Sequence, residues 1–163
     1  MSKIHHQRRG RHPFDDAILA ARREKPVPHE FVLHEIASLS PETRQMFGCL
    51  AVYVGDRIVL ILRDKRQSPA DNGVWLATTL EHHASLRRDF PQMRSIRVFG
   101  KEPTQWQVLP ADDDDFEAAA RRACRLLLAG DPRIGKVPEA RAARRARLPA
   151  RRPRRAARSR SVR

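Results

Sequence analysis

The stretch MFGCLAVYVGDRIVLIL, residues 46–62, decides the fold. Within it Leu50, Val52 and Val54 alternate with Cys49, Ala51 and Tyr53, the period of two that separates the faces of a strand. Gly55-Asp56 then supplies a tight turn, so residues 46–62 read as a β-hairpin whose first arm starts at Met46. The second arm, Ile58-Val59-Leu60-Ile61-Leu62, is apolar at every position. Such a run predicts a central strand covered on both faces.

Working outward, the polar stretch 63–73 reads as a loop, and residues 73–78 read as a third strand with Val74 and Leu76 on one face and Trp75 on the other. Thr78 stands three residues before Glu81, a capping-box spacing that predicts a helix ending near Phe90-Pro91. Two more strands are expected at 95–99 and 104–109, separated by a turn containing Gly100 and Pro103. The clearest helix follows. Phe116, Ala119, Ala120, Ala123 and Leu127 form one stripe, Asp112 to Asp115 oppose the positive end of the helix dipole, and Gly130 with Pro132 ends it. Upstream, Val32, Ile36 and Leu39 predict a helix over 28–38, and Phe14, Ala17, Ile18 and Ala21 predict another over 13–25. The expectation is one α+β domain over 13–138, an antiparallel sheet of about five strands with packed helices.

The 163-residue chain carries a formal charge of +14, and its distribution matters more than its sum. Residues 1–12 hold Lys3, Arg8, Arg9 and Arg11 with no acid, and residues 139–163 hold eleven Arg against Glu139. The interval 13–138 has eighteen basic and eighteen acidic residues, so the expected globular part is neutral. Both ends lack the apolar residues that a core requires and are expected to be disordered. In the C-terminal segment Arg144, Arg145, Arg151, Arg152, Arg154, Arg155, Arg158 and Arg160 are spaced by Ala, Pro and Ser. Guanidinium groups so arranged suit phosphate contacts that carry no sequence code, which points to DNA or RNA as the partner. No apolar run is long enough to span a bilayer and no secretory leader is legible, so no membrane insertion and a cytoplasmic location are expected. Cys49 and Cys124 sit among apolar neighbours and read as buried free thiols, although sequence does not fix their pairing.

The order of motifs resembles the N-terminal domain of the TfoX family of competence regulators. The resemblance rests on Met46-Phe47-Gly48, Tyr53, the apolar strand 58–62, Val74-Trp75-Leu76, and Trp106-Gln107-Val108-Leu109-Pro110 before the last helix. It covers about residues 28–133. Cys49 stands where a second Gly is usual in that family, and Trp75-Leu76-Ala77 replaces Tyr-Leu-Lys. The resemblance implies an α+β domain with an antiparallel sheet, a regulatory role and no catalytic residues to carry over.

Enzyme-like clusters are few. Glu81-His82-His83 combines carboxylate and imidazole, but on a helix beginning near residue 79 His83 shares a face with Leu80, Leu86 and Phe90 while His82 points about 100° away, so the pair does not converge on one ion. His29 and His34 are five apart, Asp112 to Asp115 lack the alternating ligands and Gly of a calcium loop, and Gly135-Lys136 lacks the earlier glycine of a phosphate loop. No cofactor is expected. The aromatic residues Tyr53, Trp75, Phe99 and Trp106 are either packed under a helix or, on the opposite face, a platform for a base, a ligand or a partner, with Tyr53 and Trp75 the first to test. They also suit a homodimer or other protein interface. The leading expectation is a non-enzymatic regulatory or accessory protein that holds nucleic acid through its C-terminal segment. The alternative is a stand-alone protein- or small-ligand-binding domain whose tails affect only solubility, and an enzyme built on Glu81 and His83 ranks third.

Overall fold

Two hairpins in succession build the first half of the sheet. The computed structural model describes residues 26–138. The basic arm 1–12, the helix expected over 13–25 and every arginine of the segment 139–163 lie outside the described residues. Strand β1, Glu42–Met46, turns through Phe47 and Gly48 into β2, Cys49–Val54, with Met46 paired to Cys49 and Glu42 to Tyr53. Phe47 (φ 51°) and Gly48 (φ 71°) both lie in the left-handed region, as a two-residue turn that matches strand twist requires. Met46 therefore ends one strand and residues 47–48 are a turn, which corrects the expectation that the first arm runs from Met46 without a break. The strand before them has no signature in the sequence, because four of its five residues are exposed and polar and leave no apolar alternation to read.

Gly55-Asp56 makes the second turn as expected, and β3, Arg57–Arg63, pairs antiparallel with β2. A register shift lets Val59 and Leu60 both join the helix-side core, while Ile58 and Ile61 face the other way. Strand β4, Gly73–Ala77, pairs with β3, and β6, Trp106–Pro110, pairs with β4. A short β5, Arg94–Ser95, completes an antiparallel six-stranded sheet of order β1-β2-β3-β4-β6-β5. Gly73 sits at φ 135°, and a Cβ there would lie 2.0 Å from the Leu109 carbonyl oxygen, so only glycine lets β4 and β6 meet at this point. The strand expected over 95–99 shrinks to two residues because Asp71 captures the next backbone amides, those of Arg97 and Val98.

Helices cover one face. Helix α1, Phe31–Glu35, is shorter than the predicted span because Ile36 leaves helical geometry and a 3-10 turn, Ala37–Leu39, carries the chain to Ser40. Pro41 disfavours the helical conformation for Ser40, which adopts φ 50° instead. Helix α2, His83–Asp89, follows a 3-10 turn, Leu80–His82. The Thr78/Glu81 capping box does not form, since Thr78 is buried with its amide bonded to the Gln105 carbonyl, and it is Thr79 that donates to Glu81. Helix α3, Phe116–Leu128, packs Ala119, Ala120, Ala123 and Leu127 inward. It ends as the sequence predicts, with the amides of Gly130 and Asp131 returning to the carbonyls of Leu127 and Leu126 around left-handed Gly130.

The sheet thus separates two apolar clusters, as the doubly apolar Ile58–Leu62 run predicts. One, beneath the helices, joins Leu50, Val52, Leu60, Leu62, Val74 and Leu76 to Val32, Ile36, Leu86, Phe90 and the alanines of α3. The other joins Cys49, Ala51, Tyr53, Ile61 and Trp75 to Ile96 and Val108. The fold is a single α+β domain.

Candidate functional site

Trp75 marks a cleft on the face away from the helices. Its place in β4 sets it opposite Ile61, and its indole Nε1 donates to the Asp71 carbonyl at 2.7 Å, which locks the ring in one orientation. Phe99 and Trp106 lean against it with ring centroids 6.4 Å away, and the Arg63 guanidinium lies 6.0 Å from the ring centre. Beside this group opens a cavity of about 260 Å³, walled by Met46, Phe47, Ile61, Trp75, Val98 and Phe99. Arg63 and Lys65 also line it, and no carboxylate does.

Exposure separates the aromatics into two kinds. Trp75 is 4% and Tyr53 8% exposed, so neither is an open platform; both lie on the face opposite the helices but are covered. The Arg44 guanidinium sits 5.0 Å from the Tyr53 ring, which lines a different hollow with Met46, Ile58 and Lys136. Phe47 and Phe99, by contrast, are 80% and 62% exposed at the cleft mouth. An aromatic side chain left in water at a left-handed backbone position, as Phe47 is, is unfavourable twice over, through solvation and through torsion. Phe47 and Phe99 thus form an exposed aromatic rim to the cleft.

The charge lining the cleft is also unbalanced. Arg63 is buried, yet its guanidinium donates to the carbonyls of Gln67 and Ser68 and to the Asn72 side-chain oxygen, all neutral acceptors. Lys65 donates from Nζ to the Phe47 carbonyl. Among the described residues neither cation has a carboxylate partner. A buried cation satisfied only by dipoles leaves a positive potential in the space it faces.

Asp71 holds the surrounding structure together. Its carboxylate is buried and accepts from the Arg94 guanidinium at 2.9 Å and from the amides of Arg97 and Val98 at 2.8 Å each. One side chain from a stretch that reads as plain loop therefore pins residues 94–98 to the Trp75 side of the sheet. Its only local signal is an acid in a loop, and the partners lie 23 to 27 residues away.

The remaining sequence candidates do not assemble. His83 is buried with Leu86 and Phe90 as expected, whereas Leu80, in the 3-10 turn before α2, is exposed; the His83 Nε2 has no hydrogen-bond partner among the described residues. Burial holds it below the ordinary histidine value, with the positive charges of Arg87 and His82 acting in the same direction. His82 instead lies 3.6 Å from Glu81. His29 bonds the Arg63 carbonyl, and Asp113 accepts the amide of Asp115 ahead of α3. Gly135-Lys136 pairs with Ile58 and Ala77 through the backbone, closing the gap where β4 ends. Among the described residues no three His, Cys, Asp or Glu side chains gather as a metal site. Cys49 and Cys124 are free and buried, and burial pushes the Cys124 thiol up to about 11. No helix among the described residues is long and apolar enough to cross a membrane. The chain matches no family model, no curated protein and no solved structure.

Proposed function

We propose that this chain is a non-enzymatic regulatory or accessory protein of the cytoplasm, held on DNA or RNA by its arginine-rich C-terminal segment. The partition of charge carries this reading. Residues 26–138 contain fifteen basic and fifteen acidic side chains, whereas 139–163 concentrate eleven arginines against one glutamate. A neutral domain joined to so cationic a segment gains affinity for a polyanion without sequence readout, and the resemblance to the TfoX N-terminal domain supports the regulatory half of the reading. The test is fluorescence-anisotropy titration of labelled duplex DNA and RNA across about 50–200 mM salt. The full chain is compared with a full-length variant in which Arg144, Arg145, Arg151, Arg152, Arg154, Arg155, Arg158 and Arg160 become Gln. The native chain is expected to show a salt slope of about −0.9 per phosphate contacted on duplex DNA. Binding should collapse in the variant, and equal binding by the two chains would sink the proposal.

A second reading, recognition of a small ligand by the folded domain, is favoured by the buried Arg63 beside the Trp75 cleft. The cleft's apolar walls and two cations suit a compact molecule with a planar apolar body and one carboxylate or phosphate group. Quenching of tryptophan fluorescence by a panel of aromatic carboxylates tests it. Phe99→Ala, at an exposed ring, and Lys65→Gln, at a half-buried side chain, should each weaken a genuine ligand at least several-fold. Quenching that is unchanged in both variants would place the ligand elsewhere.

A further inference from the structure

Around the edge of the sheet from the aromatic cleft, β5 and the end of α2 enclose a larger groove of about 660 Å³. Its charged lining residues are Arg87 from α2, Arg94 from β5, and Arg97 and Lys101 from the loop that follows. No carboxylate lines it. In a domain whose overall charge is zero, four cations around one hollow are a segregation of charge. Residues 87–101 hold five basic side chains and the single acid Asp89.

The nearby acids are committed elsewhere. Asp89 pairs with Arg122 at 2.9 Å and with Arg133 at 2.8 Å. Asp71 holds Arg94, which fixes that guanidinium at the groove, and Glu102 follows Lys101 in the chain but does not line the hollow. The side chains of Arg87, Arg97 and Lys101 are exposed and have no hydrogen-bond or ion-pair partner among the described residues. Gly100, at φ 116°, closes a turn by donating its amide to the Arg97 carbonyl, and this turn returns Lys101 to the groove that Arg97 lines. The depressed affinity of His83 for a proton, due first to burial and then to Arg87 one turn away, accords with a positive potential here.

We infer that the groove lined by Arg87, Arg94, Arg97 and Lys101 is a phosphodiester-binding surface of the folded domain, seating the backbone of the nucleic acid that the C-terminal segment holds. Three cations beyond the paired Arg94, around a hollow of this size, exceed what one small anion needs and suit successive phosphates along a strand. Arg94, whose terminal nitrogens already serve Asp71, Ser95 and Ala70, shapes the wall of the groove, and Arg87, Arg97 and Lys101 supply the phosphate contacts. The inference rests on the nucleic-acid reading above, so the two need separable tests.

The experiment uses the full chain carrying Arg87→Gln, Arg97→Gln and Lys101→Gln together, with Arg94 left intact to spare its bond to Asp71. Thermal unfolding is expected to match the native chain, because these three side chains hold nothing among the described residues. In duplex-DNA anisotropy across salt, the magnitude of the slope should fall by roughly 1 to 3, about 0.9 for each phosphate no longer neutralised. The Lys-for-Arg version, Arg87→Lys with Arg97→Lys, should recover most of the slope. An unchanged slope in the glutamine variant overturns the groove, while the C-terminal variant alone decides the tether. Weakened binding to vesicles containing an anionic lipid, with unchanged binding to DNA, would also overturn it and assign the charge to a membrane surface.

Discussion

The two faces of the sheet bury similar side chains but are closed by different means. Under the helices, Leu60, Leu62, Val74 and Leu76 meet Val32, Ile36, Leu86, Phe90 and the alanine stripe of α3, and closure is apolar area against apolar area. On the other face, Ile61, Trp75 and Val108 are roofed by irregular chain around Ile96 and Val98. That roof is fixed by the polar bonds of Asp71 and Arg94. The loop-roofed side carries a cleft of about 260 Å³ and a groove of about 660 Å³, whereas the helix-covered side keeps a hollow of about 220 Å³ at the end of α3.

Paired truncations of adjacent β3 residues measure this contrast most directly. Leu60→Ala, beneath the helices, is expected to cost about 4 kcal/mol, and Ile61→Ala, facing the cleft, about 2 kcal/mol, because the cleft lets water or a neighbour relax into the space. Equal losses in urea unfolding would mean that both faces are closed alike. Asp71→Ala comes next, at about 3 kcal/mol, since it strands the Arg94 charge and two backbone amides together. Trp75 fluorescence should report a loosened roof before global unfolding, and a loss below about 1 kcal/mol would show that the roof stands without its pin.

Smaller effects sharpen the same comparison. Phe47→Asn should raise stability by about 0.5–1 kcal/mol, because Asn accepts the left-handed turn more readily and the exposed ring contributes little to folding. The same change should weaken whatever occupies the cleft. A stabilised variant with undiminished binding would remove Phe47 from the site. On the helix side, His83 has a folded value below its unfolded one of about 6.5. The unfolded chain thus takes up its proton first, so the contribution is complete above about pH 6.5 and is lost as pH falls through the folded value. The drop in melting temperature between about pH 7.5 and about pH 5.5 should shrink in His83→Leu, and an unchanged drop would exclude His83 as its source.

Local pattern makes much of this fold legible. The alternation of 49–54, the Gly55-Asp56 turn, the two-faced run 58–62 and the end of α3 at Gly130 all depend on neighbours within a few residues, and each is present in the structure. The polar strand Glu42–Met46 is not legible, because its place is set by pairing with β2 and not by its own side chains. Averaging charge over 13–138 hides the groove, although a window over 87–101 shows the excess. The alternation along their strands puts Trp75 and Tyr53 on the face away from the helices, but which aromatics stay in water depends on the roof above them.

By itself the sequence determined the hairpin, the faces of its strands, the closing helix and the concentration of arginine beyond residue 138, since each follows from periodicity, turn chemistry or composition within a short span. Only the tertiary structure decided that Phe47 and Phe99 flank a cleft, that Arg63 is buried without a carboxylate partner among the described residues, and that Arg87 joins Arg94, Arg97 and Lys101 around one groove. Those arrangements arise where Asp71 draws the 94–98 segment onto the sheet, and a bond between groups so far apart in the chain leaves no trace in local pattern.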